Sequence, residues 1–127
     1  NWGAGTSCSN IKNTAAAVHI WSKHTHRWVE AGNKCGVLMG DYTRTAINTS
    51  LNTGTVTGIC SNVMNGGFVA KYVPDFSWNT VTGETYIFEK LLRDLGNWMQ
   101  LKGRVLSPQE ETVLQHLFSK QSQIPSL

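Results

Sequence analysis

The chain has 127 residues, a length that fits one domain by the usual span of roughly 100–200 residues. Apolar residues make up 40% and charged residues 15%, with a net charge of +3 and no concentrated basic run, so this is the composition of a folded protein for which nucleic acid is not demanded. No segment approaches the ~18 consecutive apolar residues of a membrane span, and no charged start followed by an apolar stretch marks a signal peptide. A cytoplasmic protein with no membrane partner is therefore expected.

Two six-residue blocks open the chain, Trp2 to Ser7 and Cys8 to Asn13, with Gly3 and Thr6 at positions that recur later. Repeat arrays need a terminal cap and about three or more repeats to stand alone. The chain is on that ground expected to be the C-terminal piece of something longer. Thr14 to Leu38 then interrupts the period. Val18 to Trp21 and Arg27 to Glu30 read as strands around Ser22 to His26, a hairpin inserted into the repeat. His19, His24 and His26 gather there. A zinc site would need a fourth ligand and firm geometry, so a solvated hairpin tip is the ordinary reading and no metal is assigned. Cys8, Cys35 and Cys60 are scattered and odd in number, which reads as reduced thiols.

From Met39 to Phe68 the period of six is sustained over five blocks. Met39, Thr45, Leu51, Thr57 and Val63 take the first position, and Thr43, Thr49, Thr55, Ser61 and Gly67 the fifth. Such a period predicts a parallel β-helix, a three-sided prism whose strands stack at about 4.8 Å, with the first position pointing inward and Gly or Asn near the corners. After it, Lys71 to Trp78 reads as an extended exit stopped by Pro74, and Asn79 to Glu84 as turn-rich. Two helices follow. The first spans roughly Tyr86 to Lys102, with Ile87, Leu91, Leu95 and Trp98 on one stripe and Gly103 as its left-handed stop. The second starts at Ser107, with Pro108 first inside and Glu110 completing a capping box. Its apolar face is Val113, Leu114, Leu117 and Phe118. The domain reading is a repeat domain over 1–78, with the insertion at 14–38, and a helical extension over 79–127.

Gly3-Ala-Gly-Thr6, then Asn10, the insertion and the renewed hexapeptides together resemble the acetyltransferase half of bifunctional N-acetylglucosamine-1-phosphate uridylyltransferase/glucosamine-1-phosphate acetyltransferase. The stretches Met39-Gly-Asp41, Ile47-Asn-Thr49, Asn52-Thr-Gly-Thr55 and Pro74 to Trp78 are similar to the C-terminal portions of its sugar-nucleotidyltransferase-like relatives. That resemblance covers about Trp2 to Trp78. It implies a mainly β fold, a left-handed parallel β-helix of hexapeptide repeats with an inserted β-hairpin and one or two C-terminal α-helices, assembled as a homotrimer. It implies transfer of an acetyl group from acetyl-CoA, as co-substrate, to an amino sugar phosphate. Asn10 matches the asparagine beside the acetyl group, and its amide would orient the amine or donate to the oxyanion. Lys12 is placed to meet the sugar phosphate, and Ala46, Ile47 and Asn65 correspond to the edge that lines the CoA. Ile11 stands where the acetyltransferase has a tyrosine, and the family's catalytic histidine belongs to a coil upstream of Gly3.

Two function classes follow. One is an acyltransferase-type domain completed by upstream coils or an adjacent subunit, inactive as it stands. The other is a non-catalytic β-helix that trimerises or regulates a sugar-1-phosphate nucleotidyltransferase. A third, a carbohydrate-binding module, would present Trp21 and Trp28.

Overall fold

The structure is a computed structural model that describes residues 1–64 and 67–121. The chain forms two units, Asn1–Thr85 and Tyr86–Leu127. The described residues of the first carry eleven short strands: β1 Ser7–Cys8, β2 His19–Ser22, β3 Arg27–Glu30, β4 Leu38–Met39, β5 Arg44–Thr45, β6 Ser50–Leu51, β7 Val56–Thr57, β8 Asn62–Val63, β9 Tyr72–Val73, β10 Ser77–Asn79 and β11 Glu84–Thr85.

Most of these strands are two residues long, and the backbone shows why. Tyr42, Asn48, Gly54 and Cys60, six residues apart, all have φ between 54° and 66°, and Phe76 follows at 59°. A left-handed residue ends an extended segment. For residues with a Cβ it costs roughly 1–2 kcal/mol. Cys60 and Phe76 are fully buried, so the apolar contact they gain offsets that cost.

Between these turns the strands pair in parallel: β1 with β6, β7 with both β4 and β9, and β5 with β8. Leu38 faces Val56 and Arg44 faces Asn62, a separation of 18 residues or three blocks. From Val56 to Tyr72 it contracts to 16. The side chains between the ladders are those of the first and fifth block positions. Leu51, Val63, Val69 and Val73 form an apolar cluster with Val37 and Met39 packed on it. Thr43, Thr45, Thr49, Thr55, Thr57 and Ser61 are buried beside it. Several of those hydroxyls are satisfied by carbonyls: Thr49 donates to Ala46 O at 2.8 Å, Thr55 to Asn52 O at 2.8 Å and Thr43 to Gly58 O at 2.6 Å.

What the backbone builds is nevertheless not the left-handed parallel β-helix expected from the repeat. The strands fall into five separate sheets, none wider than three strands, and two of the five (β2–β3 and β10–β11) are antiparallel. No solenoid forms, and the fold is a mixed, small α/β arrangement. The physical reason is the left-handed punctuation every six residues from Tyr42 to Cys60, which limits each of β4 to β8 to two residues.

The second unit holds α1 Phe88–Leu101 and α2 Pro108–Gln121. Leu91, Leu95 and Met99 are the buried residues of α1, spaced by four, and Gly103 at φ 67° ends the turn after it. The capping box forms as expected: Ser107 N–H donates to Glu110 Oε2 at 2.8 Å, and Glu110 N–H to Ser107 Oγ at 3.1 Å. Of the expected face on α2 only Leu114 is buried, while Phe118 stacks on Phe88 at 5.1 Å and Val113 and Leu117 stay exposed. Among the described residues, no helix is long and apolar enough to cross a membrane.

Candidate functional site

The insertion leaves the ladders after Asn10 and returns at Cys35. Cys35 N–H donates to Asn10 O at 2.9 Å, so the two ends of the excursion are stitched together. Gly54 N–H donates in turn to Cys35 O and Gly36 O at 3.1 and 2.9 Å. Here the stem of the β2–β3 hairpin crosses the backbone, and a Cβ on Gly54 would lie 2.6 Å from Val18 Cγ1 and 2.8 Å from His19 O. Glycine is required on two counts, the close crossing and a φ of +66°.

The His19 carbonyl at that crossing accepts a hydrogen bond from Lys71 Nζ at 3.0 Å. Lys71 precedes β9 and is fixed there by Val56 N–H to its carbonyl at 2.8 Å. Its ammonium lies 5.7 Å from the centre of the Trp28 ring, within cation–π range. Trp28 stands edge-on to Trp21 at 5.5 Å, and Trp21 contacts Tyr72 at 5.9 Å. Burial pushes the Lys71 pKa down, and the charge of Lys12 pushes the same way, opposed by Cys35.

At the far end of the hairpin, Lys23 forms an ion pair with Asp75 Oδ2, while Asp75 Oδ1 accepts Ile59 N–H at 3.0 Å. This carboxylate sits against Gly58, where a Cβ would be 2.3 Å from Oδ1 and 2.4 Å from Asp75 N. Burial raises the Tyr72 pKa, with Asp75 adding to the rise and Lys23 opposing it.

Of the residues singled out from sequence, Asn10 lies at the hairpin foot through the bond of its carbonyl to Cys35 N–H, and Lys12 follows two residues later. The Asn10 side chain is exposed and Lys12 half-buried. Ala46 and Ile47 lie elsewhere. They precede β6, beside Gly3 ahead of β1, whereas Asn10 follows β1, so the paired strands separate the two groups. The backbone of Ala46 is already used: its N–H donates to Val63 O at 2.9 Å, and its carbonyl accepts from Thr6 and Thr49 hydroxyls at 3.1 and 2.8 Å. What this corner leaves exposed is the Ile47 side chain, at 69%. Asn65 lies outside the described residues. His26 contacts the edge of Trp21 at 6.4 Å, and among the described residues no group of three or more His, Cys, Asp or Glu could hold a metal ion. All three cysteines are free, with Cys8 exposed, Cys35 partly buried and Cys60 buried.

Sequence reasoning missed Lys71, Tyr72 and Asp75. The available signal was the three-block step, since 18 residues beyond Gly54 is Tyr72, but the contraction to 16 between β7 and β9 hides it. In the second unit a shallow open groove of about 420 Å³ is lined by residues including Leu92, Gly96, Gln100 and Arg104. Its polar lining is Gln100, Arg104 and Glu111. No protein-family model matches the chain, and no curated protein matches it.

Proposed function

We propose that the chain is an acyltransferase-type domain whose hairpin foot holds an amino sugar phosphate, with acetyl-CoA supplying the acetyl group. The observation that supports this reading is the exposed Asn10 side chain at the hairpin foot, where the Asn10 carbonyl accepts from Cys35 N–H, with the half-buried Lys12 two residues further along. An amide with a cation close by in the chain suits a ligand that has an amine at one end and a phosphate at the other. In the transfer, the Asn10 amide orients the amine or donates to the oxyanion as the amine attacks the thioester carbonyl. The new C–N bond forms, the C–S bond breaks, and a base passes the proton of the amine to the departing CoA sulfur, which leaves as the thiol. Ile47 would pack against the CoA, and since β1 and β6 separate it from Asn10, the acyl group at one copy's Ile47 would reach the Asn10 of a second copy. The homotrimer implied by the resemblance gives that arrangement.

The other reading, a non-catalytic assembly or regulatory domain of a sugar-1-phosphate nucleotidyltransferase, is favoured by the exposure of Ile47 at 69% and Phe68 at 71%, apolar side chains suited to an interface. Titration of acetyl-CoA into the full-length protein by calorimetry, followed by turnover with glucosamine 1-phosphate, separates the two. The transferase reading expects binding, and a loss of about 10²–10³ in kcat for Asn10→Ala with assembly intact. Absence of heat at millimolar acetyl-CoA removes it.

A further inference from the structure

Helix α2 carries two apolar stripes side by side, and the second unit uses one of them. Leu114 is buried, and Phe118, four residues on, stacks on Phe88 of α1 at 5.1 Å. The neighbouring stripe holds Val113 and Leu117, which stay 58% and 38% exposed. At steps of three, four and three residues it runs Glu110, Val113, Leu117, Lys120, so these four share one side of the helix over about 15 Å. The order is acid, apolar, apolar, base. Laid antiparallel on a second copy of itself, that order is self-complementary. About a two-fold axis level with Gln115, each copy's Val113 meets the other's Leu117, and each Glu110 meets the other's Lys120. A parallel pairing would set Glu110 on Glu110 and Lys120 on Lys120. Charge therefore selects the antiparallel sense, with the acidic first turn of one helix against the basic last turn of the other. Glu110 Oε2 accepts the Ser107 N–H at 2.8 Å, and Oε1 pairs with Arg104 at 4.0 Å. A carboxylate has about four acceptor positions, so an ammonium from a second copy adds to these contacts without displacing them.

We propose that α2 is a self-association surface, on which two copies of this chain pair antiparallel through Glu110, Val113, Leu117 and Lys120. The pairing rests on neither reading of the function. A two-fold contact of this kind cannot close within a ring of three, so in a homotrimer it joins one trimer to another and makes a particle of six chains. The Val113–Leu117 layers supply the affinity, and the flanking charges set direction and register. With a seam of about 15 Å, a single pairing falls below the roughly 1,200–2,000 Å² of a stable complex and is reversible.

The test is sedimentation of the full-length protein from about 1 µM to 1 mM, the range of a weak interface. Wild type is expected to double in mass across that range and to return on dilution. Val113→Lys and Leu117→Glu, both at exposed helix positions, are each expected to weaken the doubling at least about tenfold, because every pair then holds two unpartnered charges in its apolar layers. Mixing the two variants is expected to restore association, since the introduced lysine and glutamate face each other across an antiparallel seam. Circular dichroism and thermal melts of each variant check that α2 still forms. A wild-type mass that does not change up to 1 mM overturns the proposal, and so do single variants that associate as wild type does. A mixture that associates no better than its components overturns the antiparallel pairing. Lower stability in either variant with the mass unchanged would mean that the stripe packs within the chain, which overturns the proposal as well.

Discussion

Two of the contacts that Asp75 makes differ greatly in worth, and the difference can be measured. Its Oδ2 pairs with Lys23, whose side chain is 52% exposed, while its own is 14% exposed. A half-exposed ion pair contributes roughly 0–1 kcal/mol, so Lys23→Met should lose less than about 1 kcal/mol. Its Oδ1 accepts the Ile59 amide at 3.0 Å, beside the close approach of Asp75 to Gly58. A hydrogen bond to a charged acceptor is worth about 1.5–3 kcal/mol, and an unsatisfied amide costs about 1–3 kcal/mol. Asp75→Ala should therefore cost about 2–3 kcal/mol. Asp75→Asn keeps a carbonyl oxygen for Ile59 and loses only the charge, so its cost should resemble that of Lys23→Met. Because the chain has two units, a global melt would mix their responses. Amide hydrogen exchange at Ile59 and Phe76, whose N–H donates to Ile59 O at 2.8 Å, reads the site directly. If Lys23→Met accelerates exchange as much as Asp75→Ala, the ion pair anchors this corner and the argument from the backbone acceptor fails.

Cys60 and Thr57 give two further tests in the same unit. Burial pushes the Cys60 thiol from 9.0 up to about 12, with Asp75 and Asp41 adding and Arg44 opposing. Its contribution is fully present below pH 9 and falls between pH 9 and 12, because there the unfolded chain has lost a proton that the folded chain keeps. By pH 10.5 the loss is about 2 kcal/mol, at roughly 1.4 kcal/mol per pH unit. Denaturant unfolding of wild type and Cys60→Ala at pH 8 and 10.5 should show the gap between them shrink by that amount, and a constant gap refutes the assignment. Thr57 Oγ1 is the one buried side-chain polar atom among the described residues that has no hydrogen-bond partner. Thr57→Val should be neutral or stabilising by up to about 1 kcal/mol, whereas Thr55→Val, which loses the bond to Asn52 O, should cost about 1 kcal/mol. Equal losses in the two variants would mean that the hydroxyl of Thr57 is satisfied.

Individual positions were far more legible in the sequence than the architecture. Leu51, Val63 and the threonines and serine at block position five are buried, because small or β-branched side chains recurring every six residues meet one another across parallel registers. Asn48 and Gly54 advertise left-handed turns by their type. Tyr42, Cys60 and Phe76 occupy the same backbone region without any such signal, since intrinsic preference argues against them and burial or neighbouring contacts decide. That unannounced punctuation keeps the strands to two residues and is why a continuous prism was the wrong architecture to expect. The helix ends, by contrast, rest on local chemistry: Ser107, Glu110 and Gly103 act through bonds spanning three or four residues, so their reading needs no tertiary information.

At the candidate site the same division runs through a single position. Asn10 and Lys12 came from a resemblance along the chain, whereas Lys71 arrives from 59 residues after Lys12 because the ladder register shortens by two. What brings the hairpin against the ladder is the crossing at Gly54, where the stem lies too close to the backbone for any side chain. The hairpin carries Trp28 and the His19 carbonyl, and the ladder carries Lys71. Their relative position is therefore set by the missing Cβ and by the bonds from Gly54 to Cys35 and Gly36. A substitution at Gly54 would push the stem outward and separate the indole from the ammonium without touching either. Gly54 thus positions the site through the fold, although it supplies no chemistry of its own.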